Sequence, residues 1–363
     1  MNEIIQYMSS GSHTLSNSEI LKIYEERYNP DEEYLGRDKE VNKIDPFVSV
    51  FITTYQHAPF IRDCLEGVLM QKTTFPIEIL IGEDESTDGT REICIEYAEK
   101  YPDKIRLFLR DRKTSQLYDE GGKFIMRFNH KWLRKSARGK YIAVCEGDDY
   151  WTDPDKLQKQ ADFLEANKDY ILTAGGYQTL DVNTGDMRDV VNDLKSYDIE
   201  RDIGYSFTLA EASKVWITKT LTLMYRNLDF SNLELFQYRY SRDVHFIYHL
   251  LQKGKGFYFL ELFGVYRLHD GGVFSSKSER EKAILRYRIN RELYQINRDN
   301  HSRIMYFLAI TSMLKSHTQL FPDKDSEFSI HRLFFKLIFL VRTTGEFKTC
   351  INVLLILWNI KKI

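Results

Sequence analysis

From Phe47 onward the chain alternates short β-branched apolar runs with longer stretches whose apolar residues recur at helical spacing. FVSVFIT (Phe47–Thr53) is nearly all apolar, as expected of a strand buried on both faces. Ile61, Leu65, Val68 and Leu69 then mark a helix within 58–71. IEILIG (Ile77–Gly82) predicts a second strand, followed by a Ser/Thr/Asp/Gly turn and a helix ending near Tyr101–Asp103. IRLFLR predicts a third strand, Gly121–Arg138 a helix and YIAVCE (Tyr141–Glu146) a fourth strand. Strand and helix in strict alternation with short connections imply an α/β protein with a doubly wound, mostly parallel sheet. In such a sheet ligands bind at the carboxyl ends of the strands. Further on, Val215–Arg226 reads as strand, Arg242–Lys253 as helix, Phe257–His269 as extended, and 276–363 as mostly helical. Residues 1–45 are polar and read as an exposed extension, and no internal repeat is visible.

Composition changes this picture little. A net charge of −2 over 363 residues gives no global reason to bind nucleic acid. Seven prolines and no low-complexity tract argue against long disordered linkers. Cys64, Cys94, Cys145 and Cys350 are far apart with no CxxC, so they read as thiols in a reducing compartment. The start lacks a basic stretch followed by an apolar core, and no run reaches the roughly 18 to 20 apolar residues that span a bilayer. The expected location is cytoplasmic.

The chemistry gathers where the strands end. Thr53, Thr54 and Tyr55 follow the first strand, and Glu83 and Asp84 the second. CEGDDYWTDPDK follows the fourth, with Glu146, Asp148 and Asp149 crowded together. Such carboxylates repel one another unless a cation sits among them, and hard oxygen ligands suit Mg2+ or Mn2+ bridging a diphosphate. There is no GxxxxGK[ST] and no GxGxxG, so P-loop and dinucleotide readings lose their support. Asp88 reads as a helix cap, and Asp153 with Pro154 as the start of the next helix.

VSVFITTYQHAPFIRDCLEGVLMQ, IEILIGEDESTDGT and ARGKYIAVCEGDDYWTDPDKLQKQADFLE together resemble a family 2 glycosyltransferase of the GT-A fold, inverting and of the bacterial polysaccharide type. The resemblance covers roughly residues 46–170 and continues more weakly to about 275. It implies a GT-A domain over 46–275, with a nucleotide-sugar half (46–170) and an acceptor half (171–275), between an N-terminal extension (1–45) and a helical region (276–363). It also implies transfer of a sugar from a nucleotide-diphosphate donor, UDP-linked by preference, to a hydroxyl of a surface polysaccharide or glycolipid. Thr53 and Tyr55 match contacts to the base, and Asp84, with Glu83 beside it, matches the acid that meets base or ribose. The family's Asp-x-Asp falls on Glu146, Gly147 and Asp148, with Asp149 next; Asp148 and Asp149 would hold metal and donor, while Glu146, where relatives carry aspartate, has no fixed role.

Asp243, opening a helix in an acceptor-side motif, is the expected general base, and is equally suited to cap that helix. His269 in GVYRLHDGG matches a residue that completes the metal shell or meets the diphosphate. Lys123, Arg127 and Lys131 read mostly as a solvated basic face, His245 and His249 as helix surface, and Trp216 as either sugar platform or core. A sugar nucleotidyltransferase and a catalytically inactive carbohydrate-binding or scaffold protein of the same fold are the alternatives. The first lacks its glycine-rich loop here, and the retained Asp148, Asp149 and Asp243 speak against the second. Residues 329–363 combine apolar runs with six Lys/Arg against Glu346 alone in HRLFFKLIFLVRTTGEFKTCINVLLILWNIKKI. That pattern fits peripheral contact with an anionic membrane surface, or packing on protein.

Overall fold

The computed structural model describes residues 15–29, 31–122, 124–191, 203–228, 236–238, 241–272 and 276–315, with Leu333, Lys336 and Leu337. Lys123 and most of 329–363 lie outside the described residues. The chain divides into two compact units, the first formed by 1–208, 217–236 and 246–268, the second by 209–216, 237–245 and 269–363.

The first unit is a mixed sheet flanked by helices. Its strands are β1 (Val48–Thr54), β2 (Ile77–Glu83), β3 (Ile105–Leu109), β4 (Gln116–Tyr118), β5 (Phe124–Arg127), β6 (Tyr141–Val144), β7 (Tyr150–Trp151), β8 (Tyr170–Asp181), β9 (Met187–Val190), β10 (Gly204–Phe207), β11 (Met224–Arg226) and β12 (Lys255–Leu268). The order is β10-β12-β8-β11-β6-β1-β2-β3, with β7 added on β12, β9 on β8, and β4-β5 forming a separate hairpin. β6, β1, β2 and β3 run parallel, as do β8 and β12, whereas β11 is antiparallel to both its neighbours. The parallel quartet is what the apolar runs predict: Val48, Val50, Ile52, Ile79, Ile81, Ile105 and Leu107 are buried in one core. Each such side chain contributes about 1.5–3 kcal/mol on burial.

Helices follow the sequence expectation in most places. α1 (Asn17–Arg27), α2 (Ile61–Leu69), α3 (Thr90–Lys100), α4 (Asn129–Ser136), α5 (Lys156–Ala166) and α6 (Asp243–Leu251) precede α7 (Glu279–Asn297) and α8 (Asn300–Lys315). Three expectations are corrected. Gly121–Arg138 is not one helix: its first part forms β5 against β4, because Ile125 and Met126 are buried with Phe128 and Trp132. Val215–Arg226 is not one strand; only Met224–Arg226 pairs, after a 3-10 turn at Thr220–Thr222. Asp153 and Pro154 do not open a helix; α5 starts at Lys156, and Asp153 Oδ1 accepts instead from Asp155 N at 2.8 Å.

Residues 15–45 are also no exposed extension. Ser16 and Glu19 form a capping box for α1, which buries Ile20 and Tyr24 against Phe128, Trp132 and Phe236. Glu33 is buried and paired with Lys39 and Arg106. Arg106 and Arg138 both reach the buried Glu78, whose Oε1 also accepts from Ser49 Oγ at 2.7 Å. A polar network that is complete in this way ties the segment to the sheet.

In the second unit α7 begins with a capping box at Ser278 and Glu281. Tyr287, Tyr306, Phe307, Ile310, Met313 and Leu314 share a core with Leu333 and Leu337. No helix among the described residues is long and apolar enough to cross a membrane.

Candidate active site

The register of the parallel strands brings three chain segments level. Thr54 pairs with Glu83, and Cys145 N and Gly147 N donate to Phe51 O and Thr53 O, both at 3.0 Å. The rim therefore carries Tyr55 and His57 after β1, Asp84 after β2 and the acid loop 145–149 after β6. Thr54 joins the two halves of this rim. Its carbonyl accepts from Asp84 N at 3.1 Å, and its Oγ1 lies 3.2 Å from His57 Nδ1. Glycine is required at 147, because a Cβ there would sit 2.6 Å from Thr54 Oγ1.

On the β2 side, Asp84 is buried and complete. Its Oδ1 accepts from Ser115 Oγ at 2.6 Å, and its Oδ2 faces Arg112 NH1 at 3.5 Å. The Arg112 guanidinium lies 3.8 Å from the centroid of the Tyr55 ring, so the carboxylate fixes the cation that covers that aromatic face. Glu83 differs from expectation: it is wholly buried, accepting from Ser86 N at 2.7 Å and paired with Arg91, and it braces the turn from within. Asp88 is not the cap expected: Gly89 takes the N-cap position, and Asp88 before it braces the turn, accepting from Thr90 N and Oγ1 and from Ala58 N.

On the β6 side, Asp148 is partly exposed, and its Oδ2 lies 3.8 Å from His57 Nε2. Glu146 Oε2 accepts from Thr220 Oγ1 at 2.9 Å. Asp149 is fully buried; its Oδ1 accepts from Arg267 N at 2.9 Å, while Oδ2 has no hydrogen-bond donor. Burial first, then the neighbouring charges of Asp148 and Glu146, push its carboxyl well above the usual carboxylate range, against the pull of Arg267 N and Lys219. Burial and the same three acids raise the Tyr266 phenol, on whose ring Lys219 Nζ sits 3.3 Å from the centroid. A buried carboxylate oxygen without a donor, beside like charges, has the donor chemistry that a hard divalent cation satisfies.

Other expected residues fall elsewhere. Asp243 is the first residue of α6, and its Oδ1 accepts from Val244 N at 2.9 Å. It belongs to the second unit, as do Trp216, which is exposed, and His269, whose carbonyl accepts from Gly272 N. Among the described residues no three His, Cys, Asp or Glu side chains gather into a metal-holding group. His245 and His249 are buried rather than on the helix surface; His245 Nδ1 accepts from Arg242 N and His249 Nδ1 lies 3.2 Å from Gln252 Oε1. Arg127 is exposed on β5, while Lys131 is half-buried over the Phe236 ring rather than solvated.

Sequence reasoning passed over His57, Arg112, Ser115 and Asp63. The signal for Arg112 and Ser115 was their position just past the end of β3. Asp63 carried none, because its partner Arg267 is 204 positions away.

Comparison with known proteins agrees with this geometry. Residues 49–117 match the sequence profile of Glycosyl transferase family 2. An uncharacterized protein of Mycobacterium tuberculosis is 41% identical over 118 residues, 32% of this chain; the match takes in only 31% of that protein's own length. TuaG of Bacillus subtilis, named for teichuronic acid biosynthesis, is 29% identical over 233 residues, covering 64% of this chain and 83% of TuaG. Residues 1–349 of S. aureus TarS, solved with UDP-GlcNAc, superpose with a TM-score of 0.50 at 16% identity, covering 81% of this chain and 79% of that one. The matched profile lies across β1 to β4, with the acids of the sheet rim following it, so residues 49–117 are similar to family 2 glycosyltransferases and the first unit has the GT-A fold.

Proposed function

We propose that the protein is a divalent-metal-dependent inverting glycosyltransferase that moves a sugar from a nucleoside diphosphate, UDP by preference, to a hydroxyl of a cell-surface polysaccharide or glycolipid. The observation that carries this reading is the donor-less Oδ2 of buried Asp149 among Asp148 and Glu146. The names of TuaG and TarS support the substrate class, since one is named for an envelope polymer and the other was solved with UDP-GlcNAc. Sequence resemblance supports the use of Thr53 and Tyr55 at the base.

In this reading Tyr55, with Arg112 fixed by Asp84, receives the base and ribose. Asp148 and Asp149 hold Mn2+ or Mg2+, which when bound offsets the charge of the departing diphosphate. Asp243 takes the proton of the acceptor hydroxyl as its oxygen bonds to the anomeric carbon and the bond from that carbon to the diphosphate breaks. The support for Asp243 is its acceptor-side sequence context and its position at the head of α6. Basic residues in 329–363 are suited to bring the enzyme to lipid-linked acceptors at a membrane surface.

The test is calorimetric titration of Mn2+ into the full chain with and without UDP. Binding of Mn2+ that depends on UDP is expected, and its absence overturns the reading. Asp243→Asn is expected to keep that binding while losing about 100-fold or more in transfer rate. Full transfer by this variant would remove Asp243 as the base.

A further inference from the structure

Strand β12 reaches the acid loop through the short antiparallel strand β7, with Val265 opposite Tyr150 and Gly264 opposite Trp151. This register aims the next part of β12 at Asp148 and Asp149. Arg267 then touches both: its backbone N donates to Asp149 Oδ1 at 2.9 Å, and its NH1 donates to Asp148 O at 3.1 Å. Its NH2 pairs with the Asp63 carboxylate on α2. The guanidinium is sandwiched over Tyr150, 4.3 Å from the ring centroid, and Phe60, 5.2 Å away.

The division of donors matters more than their number. Arg267 gives Asp149 only a peptide N–H, and its charged fork goes to a carbonyl and to Asp63. Its guanidinium is thus turned away from the Asp149 oxygen that lacks a donor. Asp63 is what turns it: the Arg267 side chain is 6% exposed, whereas its partner carboxylate is 60% exposed at the surface. Removing that counterion would leave a buried cation without a carboxylate partner, a costly state that pairing with another carboxylate would relieve.

We propose that Arg267 is a positioning residue that orients both aspartates without neutralising them, and that Asp63 keeps the guanidinium from competing with the metal ion. The proposal rests on the metal-dependent donor reading above. It deepens that reading by assigning a role to a residue pair outside the acid loop itself.

The test uses the full chain, with Mn2+ and UDP as probes in calorimetry. Asp63→Ala is expected to weaken UDP-linked Mn2+ binding about 10-fold, at the lower end of what supporting-shell changes cost. Metal-free UDP binding stays as in wild type, and the melting temperature stays within about 2 °C, since a pair with one exposed partner adds little stability. Asp63→Glu restores Mn2+ binding. Arg267→Lys, which keeps the charge but not the planar fork, also weakens Mn2+ binding with metal-free UDP binding intact.

Wild-type Mn2+ affinity in Asp63→Ala overturns the proposal. So does a parallel fall in melting temperature and in both affinities, which marks a merely structural pair. If wild type itself shows no UDP-linked Mn2+ binding, the donor reading fails first and the proposal falls with it, which separates the two failures.

Discussion

Asp84 and Asp149 stand on either side of β1 at one sheet rim, both buried, yet their surroundings are opposite. Asp84 meets a hydroxyl at 2.6 Å and a guanidinium, so the protein itself satisfies both of its oxygens. Asp149 meets one peptide N–H and, beyond it, two more carboxylates. Glu78, deeper in the sheet, is completed by Arg106, Arg138 and Ser49. A buried carboxylate left incomplete costs several kcal/mol, and so persists where something else completes it. The contrast marks Asp84 as fixed architecture around Arg112 and Tyr55, and in the proposed reading it is Asp149 that a cation completes.

The largest effect expected from this contrast is that of Asp149→Asn. Loss of a direct ligand exceeds the 10- to 100-fold that supporting residues cost, so UDP-linked Mn2+ binding falls by about 100-fold or more. Stability moves the other way. The raised carboxyl of Asp149 means the folded state holds a proton that the unfolded chain releases, so wild type loses stability as pH rises through that range. The uncharged variant escapes this loss, and its melting temperature at pH 7 is expected to be a few degrees higher, about 2–4 °C. Calorimetry and a melting curve on the same sample check both signs.

Asp84→Ala is the mirror experiment. It leaves Ser115 Oγ and Arg112 without their acceptor, a loss of about 1–3 kcal/mol in unfolding free energy. Metal-free UDP affinity falls about 10-fold as Arg112 leaves the Tyr55 face, while the enhancement by Mn2+ is retained. If urea unfolding shows Asp84→Ala and Asp149→Asn shifting stability in the same direction, the two sites are not different in kind.

The parallel quartet was legible in the sequence because strands buried on both faces must be apolar throughout, and FVSVFIT and IEILIG are. Their ends, with Tyr55, Asp84 and the acid loop, followed from the same pattern. The packed start of the chain was also legible in retrospect, through the Ser16–Glu19 capping box and the i, i+4 pair Ile20 and Tyr24. Gly121–Arg138 misled because its basic and apolar residues fit a helix locally, while the β4 partner that makes β5 a strand is a tertiary fact. The clamp on the acid loop could not be read at all. Asp63, Asp149 and Arg267 meet only because β12 crosses to β7, and no spacing within the chain encodes that crossing.

The smallest effect tests whether the contrast extends to a buried cation. Lys156 is fully buried at the start of α5, its Nζ donating to Gln160 Oε1 at 2.7 Å and lying 4.1 Å from the Trp151 ring centroid. Burial brings its pKa down to about 7 from an ordinary 10.5. Between those values the folded protein has shed a proton that the unfolded chain still carries. Unfolding free energy then rises with pH across this window, by up to about 1.4 kcal/mol per unit, and the gain is lost as pH falls back through 7. Lys156→Met removes the titrating group while keeping the apolar stem. In urea unfolding at pH 7, 8 and 9 the wild type is expected to gain on the variant at each step. Parallel pH profiles would mean that the ammonium is completed within the protein, as Asp84 is, and that burial alone does not separate complete from incomplete charges in this fold.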